Sequence, residues 1–230
     1  MKYSTKLTAL FLSLGATASL YAQTTMEKQK SITPDEVIAE LMEGNKKYVA
    51  GKLTPIDINK QVQATSKGQF PKAVILSCLD SRVPVELVFD QGIGDIFVGR
   101  VAGNVENVDQ LGSMEFATKL AGSKVVMVLG HTACGAVKGA CDHAKLGNLT
   151  ALLEKIDPAI KAVEGHEEKG RNSKNLEFVN AVVHANVAQT VADIRKRSEV
   201  LNQMEKDGKI KIVGAVYDLA TGKVTLLDSK

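Results

Sequence analysis

The chain alternates short, continuously apolar runs with longer stretches of helical periodicity. Ala73–Ser77, Ile96–Val101 and Lys124–Leu129 are apolar runs of strand length, and their lack of polar alternation predicts parallel strands buried on both faces. Lys209–Tyr217 predicts a fourth strand, and Thr221-Gly222 turns the chain into a fifth, Val224–Leu227. Thr33, Pro34 and Glu36 form a helix start with a capping box, followed by Ile38, Leu41, Met42, Asn45, Tyr48 and Val49 on one face and a stop at Gly51. Asn107 or Asp109 caps a second helix through Leu111, Met114, Phe116 and Leu120 to Gly122, and another starts near Gly135. Leu176, Val179, Val183, Val187, Val191 and Ile194 form the apolar stripe of a long helix. Residues 23–32 are polar and predict a loose arm, and 52–67 a weakly periodic connection. The alternation implies an α/β fold with a mostly parallel sheet covered by helices on both sides. In such sheets ligands bind beyond the carboxyl ends of the strands, where the runs ending at Cys78 and His131 stop.

The first residues follow a different pattern. Lys2 and Lys6 precede the apolar stretch Leu7–Leu14, and small residues follow, which predicts a secretory leader over 1–22 cleaved after Ala18 or Ala22. The apolar stretch is too short to cross a bilayer of about 30 Å. The mature protein is then residues 23–230, one domain, exported to a periplasmic or extracellular space. Loss of Lys2 and Lys6 lowers the formal charge from +3 to +1. With charges of mixed sign and no basic stripe, nucleic acid is not an expected partner, and no other apolar stretch has membrane-spanning length. Three cysteines are an odd number for a disulfide framework, whereas two thiolates on a metal and one spare account for them.

His131-Thr132-Ala133-Cys134 brings an imidazole and a thiol together at a turn, and Cys78 can join them if its strand lies beside the one ending at His131. Two sulfurs and one nitrogen suit zinc and leave a fourth position open, the arrangement of a catalytic site. On spacing alone, buried apolar cysteines beside a satisfied histidine are an equally good reading. Asp80 and Arg82, in Cys78-Leu79-Asp80-Ser81-Arg82, tilt the balance: a carboxylate beside a metal can take a proton, and an arginine can hold it ionised.

Cys-x-Asp-Ser-Arg followed by His-x-x-Cys-Gly resembles the signature of the β-class carbonic anhydrases. The resemblance extends through Gly68–Lys72, Asp80–Pro84, Arg100–Asn104, Gly130–Gly135 and Ile212–Gly222, nearly all of the mature chain. It implies reversible hydration of CO2 to bicarbonate by zinc-bound hydroxide, with one Zn2+ per subunit on Cys78, His131 and Cys134. Asp80 and Arg82 match the catalytic pair, and Gln69 matches a glutamine that contacts a substrate oxygen. Phe97, Ala102 and Phe116 match the lining of a small apolar pocket, Phe116 reaching it from the partner subunit, and Gly135 offers a backbone N–H. The implied fold is a four-stranded parallel sheet with one antiparallel strand added. The Thr33–Gly51 helix packs on a second subunit, so a homodimer is the minimal unit and a homotetramer is compatible. His143, His166 and His184 are candidates only for the final proton acceptor.

A hydrolase of the same fold acting on carbonyl sulfide or carbon disulfide is the nearer rival. The other is a non-catalytic zinc module or a thiol redox protein using Cys134 and Cys141. Family members inhibited through a second bicarbonate site use a tryptophan, an arginine and a tyrosine; Arg100 and Tyr217 match two of them, but Ile75 stands at the tryptophan position. The expectation is an open, water-bound zinc near neutral pH. Added bicarbonate at constant ionic strength should therefore leave the midpoint of the activity–pH profile in place, and an upward shift would contradict it.

Overall fold

The computed structural model describes residues 22–228. The expected leader lies, through residue 21, outside the described residues. Five strands, β1 (Ala73–Ser77), β2 (Ile96–Arg100), β3 (Val125–His131), β4 (Lys211–Tyr217) and β5 (Val224–Leu226), form one sheet in the order β2-β1-β3-β4-β5. The first four run parallel and β5 is antiparallel to β4, as expected.

Alternate residues of each strand feed two separate cores. Val74, Leu76, Cys78, Val126 and Val128 face one, and Ala73, Ile75, Val125, Met127 and Leu129 face the other. β1 and β3 are buried throughout, which is why their sequences show no polar alternation. β2 is half-exposed along its length because it is an edge of the sheet.

The helices in chain order are α1 (Met26–Ser31), α2 (Pro34–Val49), α3 (Ile58–Thr65), α4 (Val85–Val88), α5 (Val108–Glu115), α6 (Gly135–Cys141), α7 (Gly147–Leu153), α8 (Asp157–Ala162), α9 (Leu176–Arg197) and α10 (Glu199–Lys206). Residues from α2 and α4 complete the second core, and residues from α5 to α10 complete the first. α9 carries the longest apolar face and lies directly on the sheet. A Cβ on Gly130 would stand 2.5 Å from Val187 Cγ2, and one on Gly214 2.7 Å from Val187 Cγ1, so both strands need glycine to let the helix approach.

Several sequence expectations are corrected. Residues 23–32 are not a loose arm: Thr25 caps α1, the Thr24 N–H donates to Asp95 Oδ1 at 2.9 Å, and Gln29 Nε2 donates to the carbonyls of Pro71 and Ala121. These are long-range polar bonds, to which a search for apolar periodicity is blind. The segment 52–67 contains α3, capped by Asp57. The capping box at Thr33 and Glu36 is present, but the inward face of α2 is Val37, Leu41, Gly44 and Asn45, while Ile38 and Met42 are half-buried and Val49 is exposed. Asn45 turns inward because its carboxamide donates to the Val88 and Gly222 carbonyls and accepts from the Val224 N–H. Phe116 and Leu120 are exposed in a π turn following α5, and Leu176 is exposed at the start of α9.

Gly44 allows α2 to meet the loop after α4: a Cβ there would lie 1.9 Å from the Phe89 carbonyl oxygen. Replacing glycine by alanine inside a helix ordinarily gains about 1 kcal/mol. Here overpacking against backbone, worth about 1–3 kcal/mol, outweighs it. Gly44→Ala should lower the urea midpoint of unfolding, and a midpoint at or above wild type would show that α2 is not seated this closely.

Candidate metal centre

The β1–β3 register, with Ser77 level with Leu129, sets Cys78 beside Gly130 and His131 at the carboxyl end of the sheet. Cys134 follows at the amino end of α6, after a turn through Thr132 and Ala133. That turn is fastened on three sides. The Thr132 N–H donates to the Tyr217 carbonyl at 2.9 Å, Thr132 Oγ1 accepts from the Leu219 N–H, and the Ala133 N–H donates to Asn180 Oδ1 at 2.8 Å. Ala133 holds a left-handed φ of 55°, a conformation that costs a non-glycine residue about 1–2 kcal/mol and persists only where such bonds hold it.

The ligand atoms of Cys78, His131 and Cys134 lie within 4.8 Å of one another, all buried. The histidine is in the tautomer that a metal requires. Its Nδ1 lies 3.0 Å from the Thr132 carbonyl, which can only accept, so Nδ1 carries the hydrogen and Nε2 presents a lone pair. That Nε2 is buried and has no hydrogen-bond partner among the described residues. The two sulfurs are 3.9 Å apart. Tetrahedral zinc with Zn–S bonds of about 2.3 Å separates two thiolates by about 3.8 Å, so the residues fit the ion.

The surroundings favour negative charge. The Cys78 thiol is lowered by the hydrogen bond from Cys134, against the opposing effect of burial, with help from His131 and the Gly103 N–H. Cys134 is raised in turn by its neighbour Cys78 and by burial, while the amides of Val137 and Ala136 in the first turn of α6 stabilise its thiolate form. A bound dication would remove the remaining proton, since a ligating thiol is deprotonated outright.

Asp80 stands beside this group, with Oδ2 3.7 Å from His131 Nε2. Arg82 grips it as a fork, Nε to Oδ1 at 2.9 Å and Nη2 to Oδ2 at 2.8 Å, and adds its backbone N–H to Oδ1. Arg82 above all holds the Asp80 carboxyl well below the usual carboxylate range. The guanidinium of Arg100, at the end of β2, donates to the Cys78 carbonyl at 3.0 Å and to the Asp80 carbonyl at 2.5 Å, locking the ligand loop from outside the sheet. Tyr217 bonds the Tyr48 hydroxyl at 3.2 Å, and Ile75 is fully buried on the opposite face of β1.

The other expected residues divide by position. Ala102 lies in the turn that brings the Gly103 N–H to Cys78 Sγ, and Gly135 opens α6 directly after Cys134. Gln69, Phe97 and Phe116 are not brought to the metal-binding residues of their own chain. Phe97 is level with Val74, four residues before Cys78, or about 13 Å down the strand. Its ring meets Phe116 edge-on at 6.3 Å, and the two line a groove outside β2 with Val108 and Gln110. Gln69 is exposed beyond the amino end of β1, beside Gly94. Sequence reasoning missed Gly103, Asn180 and Asn186 as parts of the centre. The one sign of the two asparagines was their polar character within a largely apolar helix.

A family model described as carbonic anhydrase matches residues 73–224. The chain is 36% identical over 196 residues to carbonic anhydrase 2 of Mycobacterium tuberculosis, covering 82% of this chain and 90% of that protein. Its fold is similar to that of the β-carbonic anhydrase CafA of Aspergillus fumigatus, with a TM-score of 0.63, 24% identity, and 84% and 90% of the two chains covered. It is also similar to one of two tetrameric β-carbonic anhydrases from Sordaria macrospora, with a TM-score of 0.62, 20% identity, and 74% and 91% covered.

Metal analysis of the purified chain should find about one zinc per chain, and Cys134→Ala should reduce it to near none, since a structural or catalytic site does not survive loss of a thiolate. Full zinc in Cys134→Ala would mean that the metal is held elsewhere.

Proposed function

The chain belongs to the carbonic anhydrase family, in its β class, and on that premise we propose that it hydrates CO2 reversibly to bicarbonate and a proton at a zinc ion held by Cys78, His131 and Cys134. The observation that carries this reading is the unpartnered Nε2 of His131, aimed at two sulfurs with Asp80 alongside. Zinc bound there would lower the pKa of a coordinated water to about 7 and so make hydroxide available near neutral pH.

The chain's own residues supply orientation and proton handling. Asp80, kept ionised by Arg82, accepts a hydrogen bond from the incoming water nucleophile, orienting it and relaying its proton rather than keeping it. Both of its oxygens are engaged by Arg82, which holds the carboxylate alongside Cys78, His131 and Cys134. Ala102 provides apolar wall near the site, suited to a linear apolar substrate, and Gly135 a backbone N–H.

Gln69, Phe97 and Phe116 complete the pocket only from a second copy, because within one chain the length of a strand separates Gln69 and Phe97 from the metal ligands. The edge position of β2 and the exposure of Val108, Phe116 and Leu120 support pairing on that side. The outward residues of α2 add to that interface. A homodimer is the minimal active unit, and a homotetramer is compatible with it. The basic, apolar and small-residue order of the first 22 residues supports export to a periplasmic or extracellular space. Among the described residues no helix is long and apolar enough to cross a membrane.

Of the rivals, a redox pair of Cys134 and Cys141 is disfavoured by geometry. The residues bracket α6, about 10 Å apart along its axis, beyond the reach of a disulfide. Burial also pushes the Cys141 thiol up to about 11, with Asp142 adding to it, which leaves it a poor nucleophile. Hydrolysis of carbonyl sulfide or carbon disulfide remains the rival chemistry.

Stopped-flow CO2 hydration should be abolished in Cys78→Ala and reduced about 10²–10⁴-fold in Asp80→Asn, the range for loss of a general acid–base group. Wild type should turn over CO2 faster than carbonyl sulfide. Equal CO2 rates for wild type and Cys78→Ala would refute the reading, and a preference for carbonyl sulfide would favour the rival.

A further inference from the structure

The helix that covers the first core meets both ligand loops with carboxamides. α9 buries Val179, Val183, Val187 and Ile194 against the sheet, yet it also buries Asn186, which is 2% exposed. A buried amide in such surroundings is costly unless paired. Asn186 Nδ2 donates to the Gly103 carbonyl at 2.8 Å. Gly103 is the residue whose N–H donates to Cys78 Sγ, at 3.3 Å. It does so from a left-handed φ of 70°, where a Cβ would strike Ile156 Cδ1 at 2.9 Å and Ala136 Cβ at 3.3 Å. The turn is therefore confined on its Cα side by packing and on its carbonyl side by Asn186. Six residues earlier on the same helix, Asn180 Oδ1 accepts the Ala133 N–H in the loop between His131 and Cys134. One carboxamide donates to a carbonyl and the other accepts from an amide, each matched to the ligand loop it faces.

We propose that Asn186 is a positioning residue of the metal centre: by holding the Gly103 carbonyl it aims the Gly103 N–H at the Cys78 sulfur and so sets how much charge that sulfur gives to the metal. This rests on the zinc reading of the site. A hydrogen bond to a ligating sulfur draws electron density away from the metal, and such outer contacts typically change metal affinity about 10–100-fold. Asn180 acts on the other loop and fixes where Cys134 stands, not the electronics of Cys78.

The test substitutes Co2+ for zinc and reads the near-ultraviolet sulfur-to-cobalt charge-transfer band in the full chain. Asn186→Leu should move the band to lower energy, because the freed thiolate donates more. It should also weaken zinc binding about 10–100-fold in a chelator competition, because the Cys78 sulfur is no longer held in place and the loss of positioning outweighs the stronger donation. Val191→Ala, which loosens the same helix against β4, should lower thermal stability without moving the band. A folded Asn186→Leu with the wild-type band would overturn the proposal. So would a band that moves equally in Val191→Ala. Should Asn186→Leu not fold, the wild-type chain loaded with cadmium-113 decides: the Gly103 amide proton should show scalar coupling to the metal through the Cys78 sulfur, and no coupling overturns the assignment. A wild-type chain that takes up neither cobalt nor cadmium would sink the zinc reading and this inference with it, whereas uptake with an unmoved band sinks this inference alone.

Discussion

Parallel pairing of β1 with β3, in the one register that sets Ser77 level with Leu129, is the constraint from which the centre follows. Side chains alternate along a strand, so a slip of one residue would send Cys78 to the opposite face and away from Cys134. The register is held by apolar packing on both faces, Val74 and Leu76 on one side and Ala73 and Ile75 on the other, against the matching residues of β3. The metal ligands lie where that pairing ends, so their alignment comes from strands that are themselves fully buried and rigid.

Placing two thiols and a carboxylate together at the end of a buried strand creates a local excess of negative charge, and the fold answers it with fixed positive partners. Arg82 neutralises Asp80 through a two-pronged pair, and Arg100 ties the backbone of the Cys78–Asp80 loop. The amide of Gly103 serves Cys78 and the first turn of α6 serves Cys134. A dication bound there would complete the balance. Arginine suits these positions because its planar fork presents fixed, parallel N–H groups to a carboxylate, a geometry that the rotating ammonium of lysine does not offer.

The same arrangement leaves part of the expected pocket away from the metal-binding residues of its own chain. The carboxyl end of the sheet holds the candidate metal ligands and the Asp80–Arg82 pair, whereas Phe97 and Phe116 lie along the edge strand β2 and Gln69 beyond the amino end of β1, displaced by the length of a strand. Their distance from the ligands and the exposure of the β2 side are the observations behind the proposal that a second copy presents its edge to the first. α9 braces both ligand loops within the chain, and in the proposed assembly the second copy completes the apolar pocket.

Much was legible in the residues alone. Continuous apolar runs marked β1 and β3, because strands buried on both faces leave no room for polar alternation, and a similar run marked β2, which the fold leaves half-exposed at the edge. Thr33 with Glu36 marked the start of α2 through bonds made within four residues. The ligand set was legible for a similar reason: cysteine, histidine, aspartate and arginine at two strand ends carry their chemistry in their side chains. What sequence could not reveal was everything made by contacts distant along the chain. Residues 23–32 read as a loose arm because the bonds from Thr24 and Gln29 reach residues 71, 95 and 121. Asn45 read as part of the inward face of α2, but its partners, the carbonyls at 88 and 222, lie far off along the chain. Asn186 reads as an interruption of an apolar helix until the fold sets Gly103 against it. The sequence by itself determined the five strands, the longer helices and which groups can bind a metal, since those are local properties of side chains and periodicity. Only the tertiary structure decided which of them meet, because register and helix packing bring together residues that are far apart along the chain.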